Sequence, residues 1–248
     1  MLNIKAKISV ILFSALVISA CGGGGGDGSV TTSSATTTAI PTFPLAQAVA
    51  NSLSSDRVID YDLSGNTDSA SVTGSGTITY SAAFETNFIG TDFEEQAALA
   101  QTVTTRGTET ENGTTLPYVS TVTAYYTTNY DPLGIDSIGS YCVVQGSPSY
   151  PSSVKVGDTG SLSSSDCYQD SSMAGKIGTD VAVYVIEEDS ATTAIVNIIV
   201  TTYSLSNRPV ARSQSRSRID QVGNMVPLTL INTNYETSPT SVMTFTMK

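Results

Sequence analysis

VAVYVIEEDSATTAIVNIIVTTYSL occupies residues 181–205, and its reading decides the fold class. Val181 to Ile186 and Thr192 to Leu205 are rich in the β-branched and aromatic side chains that suit a pleated strand. The polar Glu187-Glu188-Asp189-Ser190 between them supplies a turn, so the stretch predicts an antiparallel hairpin. In its second arm, Ala194-Ile195-Val196-Asn197-Ile198-Ile199-Val200 is nearly continuous in apolar residues, the pattern of a strand covered on both faces.

Outward from this hairpin the same texture repeats. Asn112-Gly113 is a type I′ turn signal between Thr102–Thr110 and Tyr118–Thr127, a second hairpin. Leu228–Asn232 and Ser241–Met247 form a third, and further strands are expected at 57–64, 75–84, 140–144 and 209–220. Long helix-period stretches are absent. The expectation is one all-β, antiparallel domain over 44–248 with about ten strands, arranged as a barrel, a half-barrel or a sandwich. Pro44 at a first-turn position, with Leu45, Val49 and Leu53 spaced by four, predicts one short N-terminal helix over 44–53. Asp92 and Glu95 fit a capping box, but Thr102-Val103-Thr104-Thr105 behind them favours a strand.

The N-terminus carries a different message. Lys5 and Lys7 precede an apolar run from Ile8 to Ile18, and the small residues Ser19 and Ala20 lead to Cys21, the order of regions in an export signal. Roughly eleven apolar-rich residues fall short of the ~20 that a transmembrane helix needs. Ile18-Ser19-Ala20-Cys21 resembles the lipobox of bacterial lipoproteins, with Ile18 where Leu is commonest. The resemblance implies cleavage before Cys21 and a diacylglyceryl group on its thiol. Gly22 to Gly26, Asp27, Gly28 and the Ser/Thr run 29–38 contain almost nothing able to build a core and read as a flexible tether. About twenty such residues reach ~25 Å. The expected organisation is a signal peptide at 1–20, a lipidated tether at 21–43 and the β domain at 44–248.

A cysteine followed by glycines looks like the anchors of Gram-negative outer-membrane and surface lipoproteins, and Gly22 in place of Asp implies transfer to the outer membrane. Taken whole, the chain resembles the β-rich lipoproteins of Gram-negative bacteria. That resemblance implies a cell-envelope location facing the periplasm or the cell surface. Of three cysteines, lipidation uses Cys21 and leaves Cys142 and Cys167, which an oxidising compartment would join as a disulfide. The 11 basic and 22 acidic residues give a formal charge of −11; losing Lys5 and Lys7 with the signal leaves nine against 22, or −13. Such a surface repels phosphate backbones and anionic headgroups, so nucleic acid is not an expected partner and the lipid supplies the membrane attachment.

The chain contains no histidine, which removes Ser-His-Asp and Cys-His nucleophiles and His-based zinc or haem sites. Ser152-Ser153-Val154-Lys155 contains S-x-x-K without the companion motifs of penicillin-binding proteins, and reads as a loop entering a strand. Asp158-Thr159-Gly160 occurs once, whereas aspartic proteases need two such carboxylates; a β-turn over 156–160 explains it. Asp60, Asp62, Ser64, Asn66 and Asp68, with Gly65, fit positions 1, 3, 5, 7, 9 and 6 of a calcium loop, the one cofactor the pattern suggests. Position 12 is Ser71 rather than a bidentate Glu, which favours a plain hairpin turning at Ser64-Gly65-Asn66. Arg212, Arg216 and Arg218 share one face of a strand with Gln214, a concentration of cations suited to an anionic ligand or an acidic partner surface, or to pairing with neighbouring acids. Tyr118, Tyr125, Tyr126, Tyr130 and Tyr141 suit strands and could line a groove.

No catalytic residues are expected. The functional expectation is a membrane-anchored envelope lipoprotein acting as a non-catalytic binding module for a protein or an apolar ligand. The alternative is a carboxylate-based hydrolase of envelope glycan or peptide.

Overall fold

A chain that alternates its side chains and has few helix formers satisfies its backbone hydrogen bonds through ladders between strands. The computed structural model describes residues 40–90 and 94–248; the expected signal at 1–20, Cys21 and the expected tether as far as residue 39 lie outside the described residues, as does Asp92. In chain order the elements are β1 (Thr42–Phe43), α1 (Leu45–Leu53), β2 (Arg57–Asn66), β3 (Ser71–Tyr80), β4 (Phe84–Ile89), β5 (Glu95–Glu111), β6 (Thr114–Tyr126), β7 (Pro132–Ser137) and β8 (Ser140–Val144). They continue with β9 (Val154–Lys155), β10 (Thr159–Tyr168), β11 (Lys176–Glu188), β12 (Thr193–Ser204), β13 (Pro209–Asp220), β14 (Met225–Asn234) and β15 (Ser241–Met247).

Successive long strands pair antiparallel with their neighbours, while the two-residue β9 pairs with β1. The last strand returns to the first, with Phe245 of β15 opposite Leu63 of β2. β3 and β4 lie along the same side of β5: Tyr80 faces Val103 and Phe84 faces Ala100, so four residues on one side match three on the other. That is one extra residue, a bulge that bends a single long strand. Twelve strand positions therefore close into an antiparallel barrel. Of the three expected architectures the barrel is the one that forms, with two strands more than the approximate count.

Period two sets which side chains enter the barrel. On β2, Tyr61 and Leu63 point inward and are buried, whereas Asp60, Asp62 and Ser64 are exposed. On β13, Ser213, Ser215, Ser217 and Ile219 are buried, alternating with Arg212, Gln214, Arg216 and Arg218 on the outer wall. Gly76 and Gly107 face each other across β3 and β5. The ring of Tyr61 lies against both: a Cβ on Gly76 would come within 2.6 Å of its hydroxyl, and one on Gly107 within 2.4 Å. The Tyr61 hydroxyl in turn hydrogen-bonds that of Tyr118.

The two ends of the barrel differ. At one end α1 closes the opening, burying Leu45, Ala48, Val49 and Leu53 in a cluster with Tyr126, Ile186, Val196 and Ile219. Each large side chain so buried contributes roughly 1.5–3 kcal/mol. Asn51 Nδ2 donates to the Gly223 carbonyl at 3.1 Å, the Ala46 amide to the Pro151 carbonyl at 3.0 Å and the Ala83 amide to the Leu53 carbonyl at 2.7 Å. Among the described residues, the opposite end carries only connections between strands, the turns around 67–70, 112–113, 138–139, 169–175, 205–208 and 235–240. On the outside, β4 and the start of β5 cover part of β6, β7 and β8: Phe88 stacks near Tyr125 and Tyr141, and the Tyr141 hydroxyl donates to the Ile89 carbonyl at 2.9 Å.

The three expected hairpins, the N-terminal helix and a strand from Glu95 are all present. Asn112 and Gly113 both have positive φ, 50° and 75°, as a type I′ turn requires. Three expectations need correcting. The β2–β3 turn lies at Thr67–Ala70, not at Ser64-Gly65-Asn66; the Thr67 amide donates to the Ala70 carbonyl at 2.8 Å. Gly65 sits inside the ladder because a Cβ there would come within 2.2 Å of the Val242 carbonyl oxygen. β10 was not anticipated: its serines have little strand preference, and Ser163 and Ser165 are buried in spite of their polarity. Residues 42 and 43, assigned to the tether, form β1.

Candidate binding site inside the barrel

Strand alternation alone brings Arg57 into the barrel, since it shares its phase with Ile59, Tyr61 and Leu63. It lies opposite Tyr80 across the β2–β3 ladder, and its guanidinium carbon sits 4.1 Å from the centre of the Tyr80 ring. The face of the cation is thus occupied by an aromatic π-system. Its edge is not: all three guanidinium nitrogens are out of solvent and without a hydrogen-bond partner, and no ion pair among the described residues reaches them. Burial lowers the Arg57 pKa to about 10, which leaves the group cationic at neutral pH. Tyr80 and Tyr126, the two phenols electrostatically coupled to it, are also buried. Burial pushes Tyr80 up to about 12 and Tyr126 higher still, so both remain protonated donors, and the Tyr80 hydroxyl has no partner.

A second polar group lies further along the interior. Asp180 of β11 is the only carboxylate among the described residues that is buried. Desolvation raises its pKa to about 6, opposed by a hydrogen bond from Thr202. Its Oδ1 has no partner, and its Oδ2 is 3.7 Å from the sulfur of Cys142. That sulfur carries no hydrogen, because Cys142 and Cys167 are bridged, so the contact is not a hydrogen bond. The expected disulfide is therefore present, joining directly opposed residues of β8 and β10 with Cα atoms 4.0 Å apart. Cys142, Cys167 and Asp180 stand close enough to hold a metal only if the sulfurs were free.

The other residues marked by the sequence fall elsewhere. Arg212, Arg216 and Arg218 share one face of β13 as the alternation predicted, and that face is the outer wall. Arg216 pairs with Glu187, and Arg218 Nε pairs with Asp189 at 2.8 Å, so two of the three cations have acidic neighbours; Arg212 meets the side-chain oxygen of Gln214 at 2.8 Å. Asp60, Asp62, Ser64 and Asn66 stand along one face of β2, and Asp68 lies in the turn. Alternate residues of a strand are about 6.6 Å apart. Their oxygens are spread out rather than wrapped round one cation, which corrects the calcium-loop geometry, and Asp62 instead pairs with Lys248 at 2.7 Å. Among the tyrosines, Tyr118 and Tyr126 point inward, Tyr125 and Tyr141 lie on the wall beneath β4, and Tyr130 lines a cleft of about 480 Å³ with Ala46, Asn51 and Thr128. Ser152 stays in the loop before β9, Lys155 ends that strand, and the Asp158 carboxylate accepts the Lys155 amide at 2.9 Å in the turn that follows.

Arg57, Tyr80 and Asp180 were missed. A readable signal existed for the first, because the alternation that makes Tyr61 and Leu63 inward makes Arg57 inward too. In comparisons with known proteins, no family model, no curated protein and no solved structure matches this chain.

Proposed function

We propose that the chain is a lipoprotein of the Gram-negative envelope, held to the outer membrane through Cys21, whose barrel is a non-catalytic binding module for another envelope protein. The observation that carries this reading is the group of exposed apolar side chains at the rim away from α1. The tether joins the end closed by α1, where residue 40 precedes β1. At the opposite rim stand Ile138 at 91 % exposure, Leu205 at 70 %, and the exposed Leu116, Ile177 and Tyr235. The α1 end exposes Val222, Ile40 and Val58 as well, but that end carries the tether, which leaves the apolar side chains of the rim to be buried against a partner. The wall itself carries exposed Asp60, Asp62, Arg106 and Thr108, which suits water rather than the apolar band of a barrel that spans a membrane. Attachment at one end leaves the rim at the other free to meet its partner.

Two measurements test the proposal. Cys21→Ser is expected to move the protein from the membrane to the soluble envelope fraction; retention in the membrane would refute the anchor. A photo-reactive side chain placed at 138 or 205 in cells is expected to give a discrete protein adduct that the same group at Thr121, on the wall, does not give. Equal adducts from both places, or none from the rim, would refute the partner surface.

A further inference from the structure

We propose that the cleft between α1 and the β6–β7 turn binds a neutral saccharide of about two sugar rings, a site separate from the apolar rim at the other end of the barrel. The cleft is open to solvent and has a volume of about 480 Å³, within the ~300–1,000 Å³ of small-molecule sites. Because α1 buries Leu45, Ala48, Val49 and Leu53, its period turns Ala46, Gln47, Ala50 and Asn51 to the cleft. Ala46 and Ala50 are one turn apart, and their short side chains leave the space open. Tyr130 lines the cleft from the β6–β7 turn and also packs against the core cluster. Its φ of 68° is a left-handed conformation that a bulky aromatic residue rarely takes. The turn holds it there: the Thr127 carbonyl accepts the Tyr130 amide at 2.9 Å, and the Thr127 hydroxyl accepts the amides of Asn129 and Asp131 at 3.1 and 3.2 Å. Backbone strain that the surroundings enforce in this way clusters at ligand sites.

Three features select the class of ligand. No residue lining the cleft is charged, although the chain has 11 basic and 22 acidic residues, so an ionic ligand finds no counter-charge there. The amides of Gln47, Asn51 and Asn129 each offer donors and an acceptor, which is what a sugar hydroxyl, itself donor and acceptor, requires. Asn51 is fixed from both sides: its Oδ1 accepts from Gln47 Nε2 at 2.7 Å, and its Nδ2 donates to the Gly223 carbonyl at 3.1 Å. That leaves one further N–H and one further lone pair on an amide whose orientation is already set, so little ordering is lost when a ligand binds. Finally, the ring of Tyr130 and the two alanines supply apolar surface for the C–H face of a sugar ring.

The test is saturation-transfer NMR and thermal unfolding of the Cys21→Ser chain with N,N′-diacetylchitobiose, maltose and the anionic sugar glucuronate. Saturation is expected to pass to at least one neutral disaccharide and not to glucuronate, and the preferred disaccharide tells an N-acetylated amino sugar from a plain hexose as the source. Tyr130→Asn removes the ring, while Asn tolerates the left-handed backbone; it should melt no lower than the parent and bind about tenfold more weakly. Ala50→Leu keeps a good helix former on α1 and fills the cleft, so it should abolish the transfer. Should Tyr130→Asn not fold, Ala50→Leu decides alone. No transfer from the parent to either disaccharide, an equal response to glucuronate, or an unchanged response in either folded variant would each overturn the proposal and leave the cleft a solvent-filled groove.

Discussion

Replacing Asp180 by Asn should stabilise the protein above pH 6 and leave it nearly unchanged at pH 4. Asp180 is buried on β11, has one carboxylate oxygen without a partner, and faces a bridged sulfur that cannot donate. Desolvation is the leading cause of its shift, from 3.8 to about 6 in the folded state. A raised pKa means that the folded protein holds a proton the unfolded chain has already released. The stability contributed by that proton is complete below about 3.8 and is lost as pH rises through about 6. A shift of about two units at 1.36 kcal/mol each corresponds to roughly 3 kcal/mol over that window. Asn has the same shape, can accept the bond from Thr202 and carries no charge, so it should not show the loss. The assay is urea unfolding of both proteins, disulfide intact, at intervals from pH 4 to pH 8. The difference between them cancels the titration of every other acid and should grow from near zero to roughly 2–3 kcal/mol in favour of Asp180→Asn. If the variant is no more stable at pH 8, or if the difference does not change with pH, the carboxylate is not a desolvated, uncompensated group and the reasoning fails.

Other consequences are equally direct. Reducing the disulfide, or replacing both Cys142 and Cys167 by Ser, should cost roughly 3–4 kcal/mol for a separation of 25 residues, read as a lower urea midpoint, and unreduced protein should show no reactive thiol from this pair. Gly107→Ala should destabilise by about 1–3 kcal/mol, because the new methyl group meets the Tyr61 hydroxyl and the Ser75 carbonyl; an unchanged melting temperature would contradict the packing of Tyr61 on the two glycines. Millimolar calcium should leave the melting temperature unchanged, and a rise that disappears in Asp62→Ala would show that the β2 oxygens can gather after all. Arg218→Ala should alter stability by less than about 1 kcal/mol, since its pair with Asp189 lies at the surface, where solvent screens it.

Local rules served well where neighbours in sequence are neighbours in space. The hairpins at 181–205 and around Asn112-Gly113, the helix at Leu45–Leu53 and the shared face of Arg212, Arg216 and Arg218 all follow from two- or four-residue periods and turn chemistry. The same rules were silent where a residue's role depends on a distant strand. Gly65 read as a turn residue, although its absent side chain makes room for the Val242 carbonyl of β15. The serines of β10 carried no strand signal, although Ser163 and Ser165 are buried against strands brought up by closure.

Within the sequence itself lay the all-β class, the face each side chain takes on its strand, the pairing of Cys142 with Cys167, and the absence of histidine chemistry. Alternation determines a face but does not name the partner across it, and a barrel and a sandwich have the same period. Only the tertiary structure decided that β15 lies beside β2 and that β3 meets β5, and with those two contacts it decided that the inward face encloses a lumen. Closure is also what turned Arg57 and Asp180 from two polar residues on strands into a cation and an acid removed from water. Their energies depend on what surrounds them, and that is set by residues far away in the chain.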